Sequence, residues 1–105
     1  MAKKYEVVIT PSAQKDLNEI KSYFTNVLKT SSNSIFEKFL EQVKILKNHP
    51  FTYRIHQDSL LKLIGYRVIP IENYLIFYVV KKNVVQIHRV LYAKRNYMQL
   101  LGMDI

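Results

Sequence analysis

A chain of 105 residues, 49% of them hydrophobic, is long enough for one domain (residues 1–105) around a single core. It has no cysteine, which excludes disulfides and thiolate metal sites and fits a reducing, cytoplasmic setting. No apolar run approaches the ~20 residues of a membrane span, and Met1 to Tyr5 leads straight into a strand-like segment with no apolar signal region. The formal net charge of +8 favours a polyanion or an acidic protein as partner. Its distribution sharpens this expectation. All four arginines and six of the eight tyrosines follow Pro50, so the phosphate-recognising cation and the stacking side chain gather in the second half.

Tyr5 to Thr10 reads as a short strand. Thr10-Pro11 then supplies an N-cap and a proline at the first helical position. Ala13, Leu17, Ile20, Phe24, Val27 and Leu28 recur at helical spacing, with Lys15, Asp16, Glu19 and Lys21 between them, which predicts an amphipathic helix. Lys29 to Asn33 is a polar break. Ser34 to Glu37 has capping-box spacing, with a start two or three residues earlier left open, and Phe36, Phe39, Leu40, Val43 and Leu46 form the apolar stripe of a second helix that Pro50 stops at His49. A turn this short predicts an antiparallel helical hairpin.

Phe51 to Ser59 is polar and irregular. Leu60 to Ile64 reads as a short strand with Lys62 pointing opposite to its neighbours. From Gly65 to Tyr92, three runs rich in Val, Ile, Leu and Tyr are separated by Glu72-Asn73 and by the hairpin turn Lys81-Lys82-Asn83. A short terminal helix is expected over 93–101. The order β-α-α-β-β-β-β with a short C-terminal helix is an α+β fold: a helical hairpin packed on one face of a small, mostly antiparallel sheet, the other face open. Simple alternation puts Val85, Ile87 and Leu91 on the covered side and Gln86, His88 and Tyr92 on the open side. Arg89 falls among the apolar residues, where alternation alone gives it no role.

The chain resembles the RelE/ParE toxins of bacterial type II toxin–antitoxin systems over nearly its whole length. The resemblance is carried by Tyr5-x-Val7-x-Ile9-Thr10-x-x-Ala13-x-x-Asp16-Leu17, Phe39-Leu40, Leu46-x-x-x-Pro50, Tyr66-Arg67-Val68, Tyr74 to Tyr78, and Val85-x-Ile87-x-Arg89-Val90-Leu91-Tyr92-x-x-Arg95-Asn96. It implies a compact toxin that blocks growth and is neutralised by an acidic antitoxin segment. RelE-like members cut mRNA on the ribosome; ParE-like members poison DNA gyrase. Ribosome-dependent mRNA cleavage by a metal-free endoribonuclease is the first expectation, with gyrase inhibition without chemistry, or an inactive antitoxin-binding relative, as the alternatives.

Cleavage without a cofactor or metal requires a base for the 2′-hydroxyl, cations for the phosphoryl oxygens and an acid for the leaving oxygen. The resemblance assigns Arg67, Tyr92 and Arg95 to those tasks, and His88 joins them because it titrates near neutral pH. Lys62, Lys94, Arg89 and Tyr97 are the candidates for contact with nucleic acid or antitoxin. Two departures point towards the ParE side: Leu75 stands where the nucleases carry an arginine, and Leu101 stands near where some carry a tyrosine. Tyr74 and Tyr78 read as residues packed within the sheet. His49 and His56 have no partner at metal-ligand spacing.

Overall fold

A computed structural model describes residues 4–95 and 101. The elements run β1 (Glu6–Ile9), α1 (Pro11–Asn26), α2 (Asn33–Asn48), α3 (Ser59–Ile64), β2 (Arg67–Ile71), β3 (Tyr74–Lys81) and β4 (Val84–Tyr92). The four strands form one sheet in the order β1-β4-β3-β2. β1 runs parallel to β4, and the other two pairings are antiparallel. The helical hairpin packs on one face, as its apolar stripes require. Ala13, Leu17 and Ile20 of α1 and Ile35, Phe39 and Leu46 of α2 meet Ile69, Ile71, Ile76, Tyr78, Val85, Ile87 and Val90 of the sheet. Among the described residues no helix is long and apolar enough to cross a membrane.

Local chemistry explains the helix limits. The Thr10 hydroxyl accepts from the Ala13 N–H (3.2 Å) and donates to the His88 carbonyl (3.1 Å), so one side chain caps α1 and ties it to β4. Pro11 occupies the first turn. α1 ends at Asn26, so Val27 and Leu28 do not extend its buried stripe and lie exposed. In α2 the expected stripe is also displaced: Leu40 is 58% exposed, while Ile35 is buried. The capping box at Ser34 does not form. Ser32 precedes the helix, and the Ser34 hydroxyl donates instead to the Glu72 carboxylate (2.9 Å).

The segment expected as a strand at 60–64 is the helix α3. Asp58 starts it: its carboxylate accepts from the Leu61 N–H (3.4 Å) and its carbonyl from the Lys62 N–H (2.8 Å). Gly65 ends it with φ of 94°, where a Cβ would be strained. The Tyr66 N–H reaches the Leu61 carbonyl and the Gly65 N–H the Lys62 carbonyl, both at 3.0 Å, which is a Schellman closure. Leu61 and Tyr66 then pack with Phe77, Val79 and Leu91 in a second apolar cluster. The outer face of the sheet, expected to be open, is therefore partly covered. Residues 93–95 turn away from β4; the rest of the expected terminal helix, Tyr97 included, lies outside the described residues apart from position 101.

Candidate functional site: a tyrosine-lined groove beside the first helix

Strand β4 carries an irregularity that decides where the candidate residues lie. Phe77 pairs with Arg89 and Tyr78 with Ile87, so His88 is one residue too many for the ladder. A bulge of this kind reverses the alternation beyond it. Before it, Ile87 faces the hairpin. After it, Val90 faces the hairpin and Leu91 joins the outer cluster, opposite to the expected parity. Tyr92, paired with Tyr74, is carried to the helix side and parted from Gln86 and His88.

Arg89 is accounted for by a tertiary contact. Its guanidinium reaches α1 and donates from Nε to Asp16 Oδ2 (2.7 Å) and from Nη2 to Oδ1 (2.9 Å), and the Val90 N–H donates to the same carboxylate (2.9 Å). Asp16 is 5% exposed and satisfied by three donors. The hydrogen bond to Asp16 holds the Arg89 pKa above its ordinary value. Arg89 is thus a clamp between helix and sheet.

A groove of about 530 Å³ opens next to this clamp. One wall is the face of α1 that carries Asp16, Glu19 and Tyr23; Tyr74, Tyr92 and Arg95 close the other side. Tyr74 and Tyr92 meet edge to face with ring centroids 5.8 Å apart. Burial pushes the Tyr74 phenol up, with the nearby phenols of Tyr23 and Tyr92 adding to the shift. A tight turn folds Arg95 back beside Tyr92: the Arg95 N–H donates to the Tyr92 carbonyl at 3.1 Å, while the Ala93 N–H holds the Asn73 carbonyl at 2.8 Å.

His88 lies on the outer face in the middle of a chain of hydrogen bonds. The Tyr66 hydroxyl stands 2.8 Å from Nδ1, and Nε2 stands 3.2 Å from Gln86 Oε1. Because that oxygen only accepts, Nε2 carries the proton and Nδ1 accepts from Tyr66. Burial, reinforced by Lys81, lowers the His88 pKa. His56 stacks on Phe77 on the same face (6.4 Å, 27°).

Arg67 is elsewhere again. It donates to the Tyr53 carbonyl (2.7 Å) and lies 5.0 Å over the Phe51 ring. It pairs with Tyr78, whereas Tyr92 pairs with Tyr74, so four residues of β3, about 13 Å, separate the two positions along the sheet. Of the four expected catalytic side chains, only Tyr92 and Arg95 share a site. Lys62 is exposed on α3 and Lys94 on the turn after β4. Among the described residues no three His, Asp or Glu side chains converge as metal ligands. Glu19 and Tyr23 were passed over in the sequence reading, and Tyr74, expected to pack within the sheet, also lines the groove. The first two lie three and seven positions after Asp16 on one helical face, a spacing that could have revealed the wall.

The family described as "ParE toxin of type II toxin-antitoxin system, parDE" matches residues 7–97 of the sequence. The chain belongs to that family, and with it to the RelE/ParE superfamily of toxins. Among solved structures it is similar to the chromosomal ParDE TA system from P. aeruginosa, with a TM-score of 0.66 and 20% identity, covering 88% of this chain and 99% of that one. It is also similar to the E. coli DinJ-YafQ toxin–antitoxin complex (TM-score 0.57, 12% identity, 85% and 92% covered). A Helicobacter pylori protein, HP0894, gives a TM-score of 0.53 at 15% identity, with 84% and 93% covered. At these identities the likeness is one of fold. Among curated proteins nothing matches the chain at a significant level.

Proposed function

We propose that this type II toxin arrests growth by binding its target, DNA gyrase in the ParE manner, and not by cutting RNA. The observation that carries the reading is the dispersal of the acid–base and cationic groups: the β4 bulge parts Tyr92 from His88, and Arg67 lies on β2, further along the sheet. Metal-free cleavage needs base, acid and cations around one phosphate. Arg67 is engaged by Tyr53 and Phe51, Arg89 by Asp16, and His88 by Tyr66 and Gln86. Tyr92 and Arg95 remain, in a groove with the dimensions of a side-chain receptor. Membership of the ParE family supports the same choice. A net charge of +8 supports an acidic antitoxin segment as the neutralising partner.

A second reading, ribosome-dependent mRNA cleavage, draws on one observation. Tyr92 and Arg95 stand together as a phenol and a guanidinium at the rim of one cavity. The two are separated by induction in a bacterial host while thymidine and methionine incorporation are followed in parallel. Early loss of thymidine incorporation with accumulation of cleaved DNA–gyrase complexes is expected. Prompt loss of methionine incorporation with continuing DNA synthesis and cut mRNA would replace gyrase by the ribosome.

A further inference from the structure

The groove has a composition at odds with the rest of the molecule. In a chain of net charge +8, its helical wall presents carboxylates at positions 16 and 19. The first is filled by the chain's own arginine in a two-pronged contact. The second, one helical turn further on, is not: Arg89 reaches Glu19 only through longer-range attraction. Three phenol rings, Tyr23, Tyr74 and Tyr92, line the same groove as Glu19. No hydrogen bond within the described residues fixes their hydroxyls or the Glu19 carboxylate. Tyr23 is 45% exposed, and Tyr74 and Tyr92 are partly exposed.

Aromatic faces carry negative potential and hold guanidinium or ammonium groups within about 6 Å of the ring centre. A carboxylate among several rings strengthens that preference, since it neutralises the guest without filling the space between the rings. A phosphate is disfavoured in the same place by Glu19. An aliphatic guest would leave both the phenols and the carboxylate without a partner.

We propose that the groove is a receptor for one basic side chain of a partner protein, an arginine or lysine seated among Tyr23, Tyr74 and Tyr92 with its charge beside Glu19. Arg95, at the rim, is placed to take an acidic group next to that side chain, of the kind expected in a segment attracted to a basic toxin. The inference rests on the reading that this groove contacts protein. It is separable from the identity of the target, because it concerns binding by the purified toxin alone.

The test is titration of the purified protein with three capped tripeptides, acetyl-Ala-Xaa-Ala-amide, in which Xaa is arginine, citrulline or glutamate. Tyrosine ring resonances report binding by NMR. The arginine peptide is expected to give saturable shifts at Tyr23, Tyr74 and Tyr92, with citrulline roughly fivefold weaker because it keeps the shape and loses the charge. Glu19→Gln and Tyr92→Leu, with native spectra otherwise, are expected to lower arginine binding by a similar factor. Equal binding of arginine and citrulline, a response to glutamate alone, or no saturable shift would each overturn the proposal. Growth arrest through a different target leaves this binding in place, and loss of this binding leaves the target open.

Discussion

His88 and Tyr92 lie four residues apart on one strand and belong to opposite worlds. On the outer face around His88 the polar groups pair with one another, phenol to imidazole and imidazole to amide, with Tyr66 also packed in the apolar cluster of Leu61 and Phe77. In the groove around Tyr92 three phenols and a carboxylate stand without such partners among the described residues. A folded chain satisfies its buried polar groups internally. Groups left open on a concave surface are where another molecule can supply the missing contacts. The comparison separates side chains that hold the fold from those available to a partner, and it places the clamp Asp16–Arg89 on the boundary.

Removing the clamp should have the largest effect. Asp16→Ala removes the carboxylate that accepts from the Arg89 guanidinium and the Val90 N–H, and a loss of roughly 3 kcal/mol is expected in denaturant titration. A loss under about 1 kcal/mol would mean that the groove wall does not depend on this pair. Next comes Tyr78, which is fully buried and donates to the Pro50 carbonyl at 2.8 Å. Tyr78→Phe leaves that carbonyl unpaired and should cost about 1 kcal/mol. Burial pushes the Tyr78 pKa up to about 12, above the ordinary value of 10.0. Stability from this group is therefore complete below pH 10 and declines as the pH rises from 10 towards 12. The Phe variant should lose that alkaline slope.

The outer face gives a smaller effect of opposite direction. The folded His88 pKa lies below the ordinary 6.5, chiefly because burial disfavours the cation and secondarily because of Lys81. Between 6.5 and the folded value the unfolded chain binds more protons. Stability is thus complete above pH 6.5 and falls as the pH drops through this window. His88→Gln should flatten the slope; an unchanged slope would assign it to other groups. Smallest of all, Arg95→Ala and Glu19→Gln should alter stability by no more than about 0.5 kcal/mol, as expected for exposed positions outside the core.

Much of this was legible in the sequence where local chemistry and periodicity agree. Thr10-Pro11 marked the start of α1, Pro50 the stop of α2, and the runs after Gly65 the three antiparallel strands. The readings that failed did so where a tertiary feature intervened. Leu60 to Ile64 looked like a strand because it is short and apolar, yet Asp58 and Gly65 are a start and a stop for one helical turn and a half. Asp16 read only as one of the charged residues between the apolar positions of α1; its partner Arg89 is 73 positions away. The single residue added at His88 has no local signature, and it alone moves Tyr92 from the outer face to the groove. His88, Arg89 and Tyr92 fall on β4, as the strand reading places them, while which of them share a face was hidden by one bulge.

The most direct test of where the activity resides is growth arrest in a bacterial host, measured for two variants shown by thermal melting to be folded. Tyr92→Leu combined with Arg95→Ala alters the groove; His88→Gln alters the outer face. Loss of arrest with the first and retention with the second is the predicted result. Arrest that survives the groove double variant but disappears with His88→Gln would contradict it and move the site to the other side of the sheet.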